Sequence, residues 1–383
     1  MSVEIKKVKT KKDLDAFIQL HYDLYKGNPY DAPNLYSDEV HTLSKDQNSA
    51  FEFCEAEYFM AYKNEKLVGR VAAIINHRYN NQWNRPCVRF GWLDLIDDEE
   101  VMRALLTAVE DYGRQKGMKE IIGPLGFTDM DPEGMLTAGF EELGTMATGY
   151  NYAYYPELME RLGGYEKDND YVEYKVYVPK GDMPEKFSKI AQMVEKRYNL
   201  HCPKIKRSQV FGKEQYGQKV LDVVNKTFGQ LYGYSEMTQS QINEYVQQYF
   251  KFFSMDMICV IEDWNTPDHD VIGVGITIPS LTKALQKCKN GRLLPFGWWH
   301  IFKALYLKKT DIVDCLLIGI LPEYRAKGAN SLLFYHLIPV FQKYGFKWGE
   351  THVEMETNSK VQSQWMYYEH EQHKRRRCYK KAL

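Results

Sequence analysis

The sequence lacks any uninterrupted apolar run near the ~20 residues that a membrane-spanning helix needs. The nearest candidate, Leu293 to Leu307, is interrupted by Gly297, His300 and Lys303. The opening MSVEIKKVKT carries charge but no apolar stretch, so no signal peptide is expected. Neither sign of charge is in excess: 50 Lys and Arg stand against 51 Asp and Glu. Such a balance gives no whole-molecule attraction to nucleic acid or to an anionic membrane, and neither partner is expected. Cysteine is scarce. The seven residues (54, 87, 202, 259, 288, 315 and 378) are odd in number and never spaced C-x-x-C. That fits reduced thiols in a cytoplasm and argues against a disulfide scaffold or a zinc knuckle. None has the neighbouring His pattern of a nucleophile, so a structural role is expected. No G-x-x-x-x-G-K-S/T occurs, and no G-x-G-x-x-G opens a helix, which excludes a Walker loop and a dinucleotide fingerprint.

What is present is a mixed α/β pattern repeated once. With 383 residues the chain is long enough for two domains. The first half reads as a helix (Lys12–Tyr25), a hairpin (Tyr58–Tyr62 and Leu67–Ile75 around Lys63-Asn64-Glu65-Lys66) and a strand (Val88–Ile96). A helix (Glu99–Lys116, with Gly117 as its stop), a short strand (Lys119–Ile122), a helix (Pro156–Leu162) and a closing strand (Tyr171–Val178) follow. Pro179-Lys180-Gly181-Asp182-Met183-Pro184 marks a boundary, giving domains 1–180 and 181–383. The second half opens with helices at Glu185–Tyr198, Tyr216–Phe228 and Gln239–Phe253. It then repeats the order: hairpin (Met257–Glu262, Val271–Ile278), strand (Asp314–Leu321), helix (Ala329–Tyr344, with Pro339 expected to kink it), strand (Trp348–Met355), helix (Ser359–Glu369) and strand (Arg375–Lys380). Lys116-Gly117-Met118-Lys119 and Tyr344-Gly345-Phe346-Lys347 anchor the repeat.

One stretch carries chemistry. Leu316 to Leu333 reads as an apolar strand, a proline, a basic turn with one glycine, then a helix. Such a turn puts free amides and a helix N-terminus at a strand's end, which suits a diphosphate. Arg325 and Lys327 supply charge, and Gly328 permits close backbone approach. An extended ligand arm can then run beside Ile318 and Ile320.

Together with its context, this turn resembles the acyl-CoA loop of the GNAT superfamily of N-acyltransferases. That loop reads R/Q-x-x-G-x-G/A, matched here as Arg325-x-x-Gly328-x-Asn330, with Asn330 departing from the small residue. The resemblance implies two tandem GNAT-like domains, and acetyl-CoA or another acyl-CoA as donor. The loop amides of Arg325, Ala326, Lys327, Gly328, Ala329 and Asn330 would hold the diphosphate. Ile318 and Ile320 would pair with the pantetheine arm, and Asn358 would touch it from the next helix. The family often places a tyrosine about seven residues after that Asn as proton donor to the thiolate. Trp365 stands there, with Tyr367 and Tyr368 beyond. In the first half the loop position holds Asp97-Asp98-Glu99-Glu100-Val101-Met102, whose acids repel a diphosphate. Only the second half is therefore expected to bind coenzyme, and an internal pair makes a monomer the expectation.

The acid–base groups are less determined. His352, Glu354 and Glu356 alternate along a strand and so share one face. If that face lines the cleft, Glu354 is the best-placed base; the competing account is a solvated edge. Metal binding by this trio is poorly supported. The basic run His373 to Arg377 reads as a terminal strand with solvated charges. Trp298-Trp299-His300, in an insert spanning 281–310, reads as an amphipathic helix burying its aromatics, or as a lid or acceptor wall. The expected function is acyl transfer from acyl-CoA to a small-molecule or peptide amine. The alternatives are an acyl-CoA-binding sensor, or the aminoacyl and fatty-acyl transferases of tandem build.

Overall fold

The structure is a computed structural model. It describes residues 2–183, 185–307 and 310–383, so Met1, Pro184 at the expected boundary, and Lys308 and Lys309 in the insert lie outside the described residues, as does the side chain of Lys186. Fourteen strands are described: β1 (Glu4–Lys7), β2 (Cys54–Lys63), β3 (Lys66–Asn76), β4 (Cys87–Leu95), β5 (Glu120–Gly123), β6 (Met135–Ala138), β7 (Glu166–Tyr177), β8 (Leu200–His201), β9 (Ile258–Asp263), β10 (Asp270–Pro279), β11 (Ile312–Ile320), β12 (Trp348–Thr351), β13 (Glu354–Met355) and β14 (His370–Ala382). Their spatial order is β1-β2-β3-β4-β5-β14-β7-β12-β11-β10-β9-β8, with β6 beside β14 and β13 beside β7. Read from either end, the order is the same, which is the repeat made spatial.

Local chemistry sets the elements. The β2–β3 turn has Asn64 and Glu65 both at positive φ (53° and 64°), the two-residue turn whose twist matches a hairpin. The Glu99–Gln115 helix starts where Asp98 accepts hydrogen bonds from the amides of Glu100 and Val101. The Asn330–Tyr344 helix runs unbroken through Pro339 and ends at Gly345, in the left-handed region. The expected last helix is shorter, Ser359–Gln362 followed by a single turn at Trp365–Tyr367. Helices cover both faces of the sheet. The Glu99–Gln115 helix packs on β2 to β5, and the Asn330–Tyr344 and Glu185–Tyr198 helices pack on β9, β10 and each other.

The centre departs from the sequence reading. β7 does not close the first half. It pairs with β12 of the second half (Trp348 opposite Tyr177), while β14 pairs with β5 of the first (Tyr379 opposite Gly123). β7 and β14 also pair with each other, from His370 opposite Val176 to Lys380 opposite Glu166. Each half thus donates its last strand to the other. A chain cut at residue 180 would leave β7 behind in a sheet it does not belong to. Among the described residues no helix is long and apolar enough to cross a membrane.

Candidate functional site

The second half holds a fork between two parallel strands. β11 and β12 pair from Ile312 opposite Trp348 to Cys315 opposite Thr351. The His352 amide donates to the Cys315 carbonyl at 3.2 Å, and beyond that the strands part. Among the described residues, the edge of β11 from Leu316 to Ile320 that faces the opening has no strand beside it. Ile318 and Ile320 lie on that arm, as expected.

At the fork's mouth the chain turns through Pro322–Arg325 into the Asn330–Tyr344 helix. Gly328 sits at φ +77°, where a side chain would be strained. The Gly328 amide bonds to the Arg325 carbonyl, while the amides of Ala329 and Asn330 have no partner among the described residues. No side chain caps this helix, so its positive end is open. Arg325 is turned back: its Nε donates to the Ile320 carbonyl at 2.8 Å, which holds the turn against its own strand. The Lys327 ammonium lies over the Tyr324 ring at 4.1 Å. Asn330 reaches across to Gln364 (3.3 Å), joining the loop to the segment beyond β13, whereas the Asn358 side chain makes no hydrogen bond among the described residues.

The expected alternation of His352, Glu354 and Glu356 fails, because β12 and β13 are separated by His352-Val353. Glu350 meets Lys374 on one face of the sheet, and Glu354 meets Trp365 on the other. Glu356 is at the surface, paired with Arg375 and with Lys167 at 3.2 Å. Glu354 is buried and accepts from the Trp365 indole N–H at 2.9 Å through Oε1, while Oε2 has no partner. Burial pushes its carboxyl up to about 8, against the pull of the Trp365 and Thr351 hydrogen bonds. Tyr367 is exposed. Tyr368 is buried between Phe187 and Phe334, its hydroxyl unpartnered and its phenol pushed up by burial.

The basic run His373 to Arg377 is not a solvated strand. Arg375 and Arg377 pair with carboxylates on one side, while Lys374 and Arg376 are buried on the other. Lys374 Nζ lies 2.6 Å from Glu350 and 3.3 Å from Glu173, and Arg376 Nε donates to Glu173 at 2.5 Å. Two cations thus meet two carboxylates in water-poor surroundings. Asp314 is a further acid beside them, opposite Glu350 in register, buried, with neither oxygen hydrogen-bonded among the described residues. Burial first, and the Glu350 charge second, push it up to about 7. The sequence reading missed Asp314, whose only linear signal was an acid inside an apolar strand. Burial also pushes the neighbouring Cys315 thiol up to about 12, which leaves it un-ionised and no nucleophile.

No family model matches the chain. It is 25% identical over 377 residues to Protein YghO of Escherichia coli strain K12, covering 97% of this chain and 94% of that protein. It is 24% identical over 349 residues to the bacterial ceramide synthase of Caulobacter vibrioides, covering 91% and 88%. Its backbone matches the tandem GNAT protein from the clavulanic acid biosynthesis pathway at a TM-score of 0.56, with 12% identity over 100% of this chain and 98% of that one. A GCN5-related N-acetyltransferase from Sphaerobacter thermophilus gives 0.53, with 10% identity over 99% and 95%. The chain has a tandem GNAT fold.

The other copy of this tandem GNAT fold has its own fork, and it is closed. β4 and β5 pair as far as Arg89 opposite Ile122. Further along β4, the Leu95 amide donates to the Tyr155 hydroxyl (3.0 Å), and the Tyr154 hydroxyl donates to the Leu95 carbonyl (2.7 Å). The connection to the next helix is only Ile96-Asp97-Asp98, and Asp98 already takes two helix amides. A cavity of about 130 Å³ remains nearby, lined among others by His21, Asp31, Arg70, Asp94 and Arg376. His21 lies between Asp94 (3.1 Å) and Asp31 (3.5 Å). Burial works against its charge, but the two carboxylates outweigh it and raise the imidazole to about 10. Arg376 lines this cavity and also binds Glu173, so it joins the first half's cavity to the charges behind the second half's fork.

Proposed function

We propose that this protein transfers an acyl group from acyl-CoA, held by the second half alone, to a primary amine. The observation that carries the reading is the asymmetry of the two forks. One has, among the described residues, a strand edge with no strand beside it and its last carbonyl, Ile320, held by Arg325, running to an uncapped helix N-terminus; the other has the Leu95 amide and carbonyl taken by Tyr155 and Tyr154 and its helix N-terminus capped by Asp98. Acyl-CoA would supply the acyl group as an activated thioester. The open amides of Ala329 and Asn330, with Lys327, suit its diphosphate, and the β11 edge suits an amide-bearing arm.

For the amine's proton we assign Asp314 as base, a carboxylate without hydrogen bonds beside the closed end of the fork. Glu354, expected from the sequence as the base, suits the opposite task. At pH 7 it is mostly neutral, and its free Oε2 can carry the proton that a leaving thiolate takes up. As the C–N bond forms from the neutral amine and the C–S bond breaks, nitrogen gives one proton to Asp314 and the thiolate takes one from Glu354, and exchange with water resets the pair.

The relative named a bacterial ceramide synthase directs the acceptor search to long-chain amino alcohols, and the donor search to fatty acyl-CoA beside acetyl-CoA. A second reading, acyl-CoA binding without turnover, draws on Trp365 at the tyrosine position and on the sealed hydroxyl of Tyr368. Calorimetric titration of acetyl-CoA and palmitoyl-CoA, followed by an amine panel that includes sphinganine, tests both readings. Binding with amide product supports transfer. Binding without product for any amine supports the sensor reading. No binding of either donor sinks both.

A further inference from the structure

The insert at 281–310 does not bury its aromatics. Trp298 is 50% exposed, Phe296 73%, Tyr306 52% and Leu294 77%, with Trp299, Phe302 and Leu307 also exposed. On the Gly297–Leu305 helix, Trp298, Trp299 and Phe302 form the outward face. Their rings are contiguous: Trp298 to Trp299 at 5.7 Å, Trp299 to Phe302 at 5.5 Å, Phe302 to Tyr306 at 5.1 Å. The inward face is apolar as well. Ile301, Ala304 and Leu305 pack into the core beneath. With His300 and Lys303 as its polar positions, a helix apolar on both its inner and its outer face needs an apolar medium on the outer side too.

The insert's own charge is of one sign, with Lys283 3.9 Å from Asp311 and Arg292 3.7 Å from Asp15 at its margins. Residues 281–310 contain six Lys and one Arg and no Asp or Glu, in a chain of net charge −1. Among the described residues Lys287, Lys289 and Lys303 lie within ion-pair distance of no carboxylate, and Lys303 sits over the Trp299 ring at 5.1 Å. The insert is also fixed in place. Gln286 Nε2 donates to the carbonyls of Pro29 (2.9 Å) and Asp31 (2.7 Å), and Thr282 donates to the Gly144 carbonyl (2.8 Å). Asp31 lines the cavity of the first half, so Gln286 ties the insert to that cavity's wall.

We propose that this patch docks the protein on the surface of an anionic phospholipid bilayer, with Leu294, Phe296, Trp298 and Phe302 in the headgroup–acyl boundary and the surrounding lysines on lipid phosphates. Tryptophan and tyrosine favour that boundary because their rings are apolar and their polar ends stay wet. Basic residues beside an apolar face add attraction to negative lipid. The docking is peripheral. It agrees with the lack of a spanning helix among the described residues, and it replaces the expectation, drawn from whole-chain charge, of no membrane partner. It does not depend on the acyl-transfer reading.

The test is co-sedimentation of the full chain with vesicles of phosphatidylcholine alone, or with about a third phosphatidylglycerol. Wild type is expected to pellet with the anionic vesicles, less with neutral ones, and less at high salt. Trp298→Ser with Phe302→Ser is expected to weaken anionic-vesicle binding at least ~10-fold, and Lys287→Glu with Lys289→Glu by a similar factor on anionic vesicles only. All four side chains are at the surface, and unchanged melting confirms folded variants. The proposal is overturned if wild type stays in solution with both vesicle types, or if either double variant binds anionic vesicles as wild type does. It is equally overturned if the aromatic variant changes only self-association in sizing runs, which would make a second copy the occupant.

Discussion

The Tyr155 hydroxyl accepts a hydrogen bond from the Leu95 amide at 3.0 Å, filling a β4 edge amide, whereas on the matching β11 edge Arg325 takes the Ile320 carbonyl and, among the described residues, no strand lies alongside. Coenzyme should therefore bind once per chain. In titration with acetyl-CoA the expected stoichiometry is one. Arg325→Glu with Gly328→Asp should weaken binding about 100-fold, about 2.8 kcal/mol. The first change loosens the turn from Ile320 and reverses a charge. The second puts a carboxylate at φ +77° beside the open amides. A stoichiometry of two, or unchanged affinity in the variant, contradicts the assignment.

The proposed base, Asp314, carries a stability signature of its own. Its folded pKa of about 7 lies above its ordinary 3.8, so its charged form is disfavoured in the fold. The folded state accordingly loses stability as pH rises from about 4 through 7. Asp314→Asn removes that loss. It should be more stable than wild type at pH 8, by on the order of 3 kcal/mol, and slower in turnover by ~100-fold or more. Urea melts at pH 5 and pH 8, beside product assays, check both signs. A variant destabilised at pH 8 would count against a strained acid there.

The pH–rate profile should rise through about 7 as Asp314 ionises, and fall through about 8 as Glu354 loses its proton. Glu354→Gln should slow turnover and abolish the alkaline limb. Trp365→Phe deletes the hydrogen bond that lowers the Glu354 pKa, so that limb should move to higher pH. If the limb stays fixed in both variants, another group is the acid.

His21 between Asp31 and Asp94 makes a separate, structural prediction. Its folded pKa of about 10 exceeds the ordinary 6.5, so its contribution is complete below about 6.5 and is lost as pH rises through 10. His21→Phe leaves two buried carboxylates with Arg70 as the neighbouring cation. The expected cost is about 3 kcal/mol at pH 6, shrinking toward pH 10. Denaturation of both proteins across that range decides it. A difference independent of pH would mean packing alone.

Much of the fold was legible because it is local. The β2–β3 turn follows from four adjacent residues, and the Glu185–Tyr198 and Tyr216–Phe228 helices from their own periodicity. The contrast between an acid-capped and an open helix N-terminus rests on contiguous residues too, which is why the Arg325–Asn330 turn and its degenerate counterpart could be told apart in the sequence. What only the tertiary structure decided is which strands meet and which faces are covered. The sequence read the whole run His373 to Arg377 as solvated, although period-2 alternation puts Lys374 and Arg376 on one face. It could not say that β7 and β12 would bring Glu173 and Glu350 to bury the second pair. Asp314 became a titrating acid for the same reason, since a carboxyl's pKa depends on its solvation and on charges from distant strands. The Trp298 helix reads in the sequence as amphipathic with its aromatics buried, and only the fold determined that Trp298, Trp299 and Phe302 face outward. Local sequence set the elements; burial, a property of the whole surface, set their chemistry.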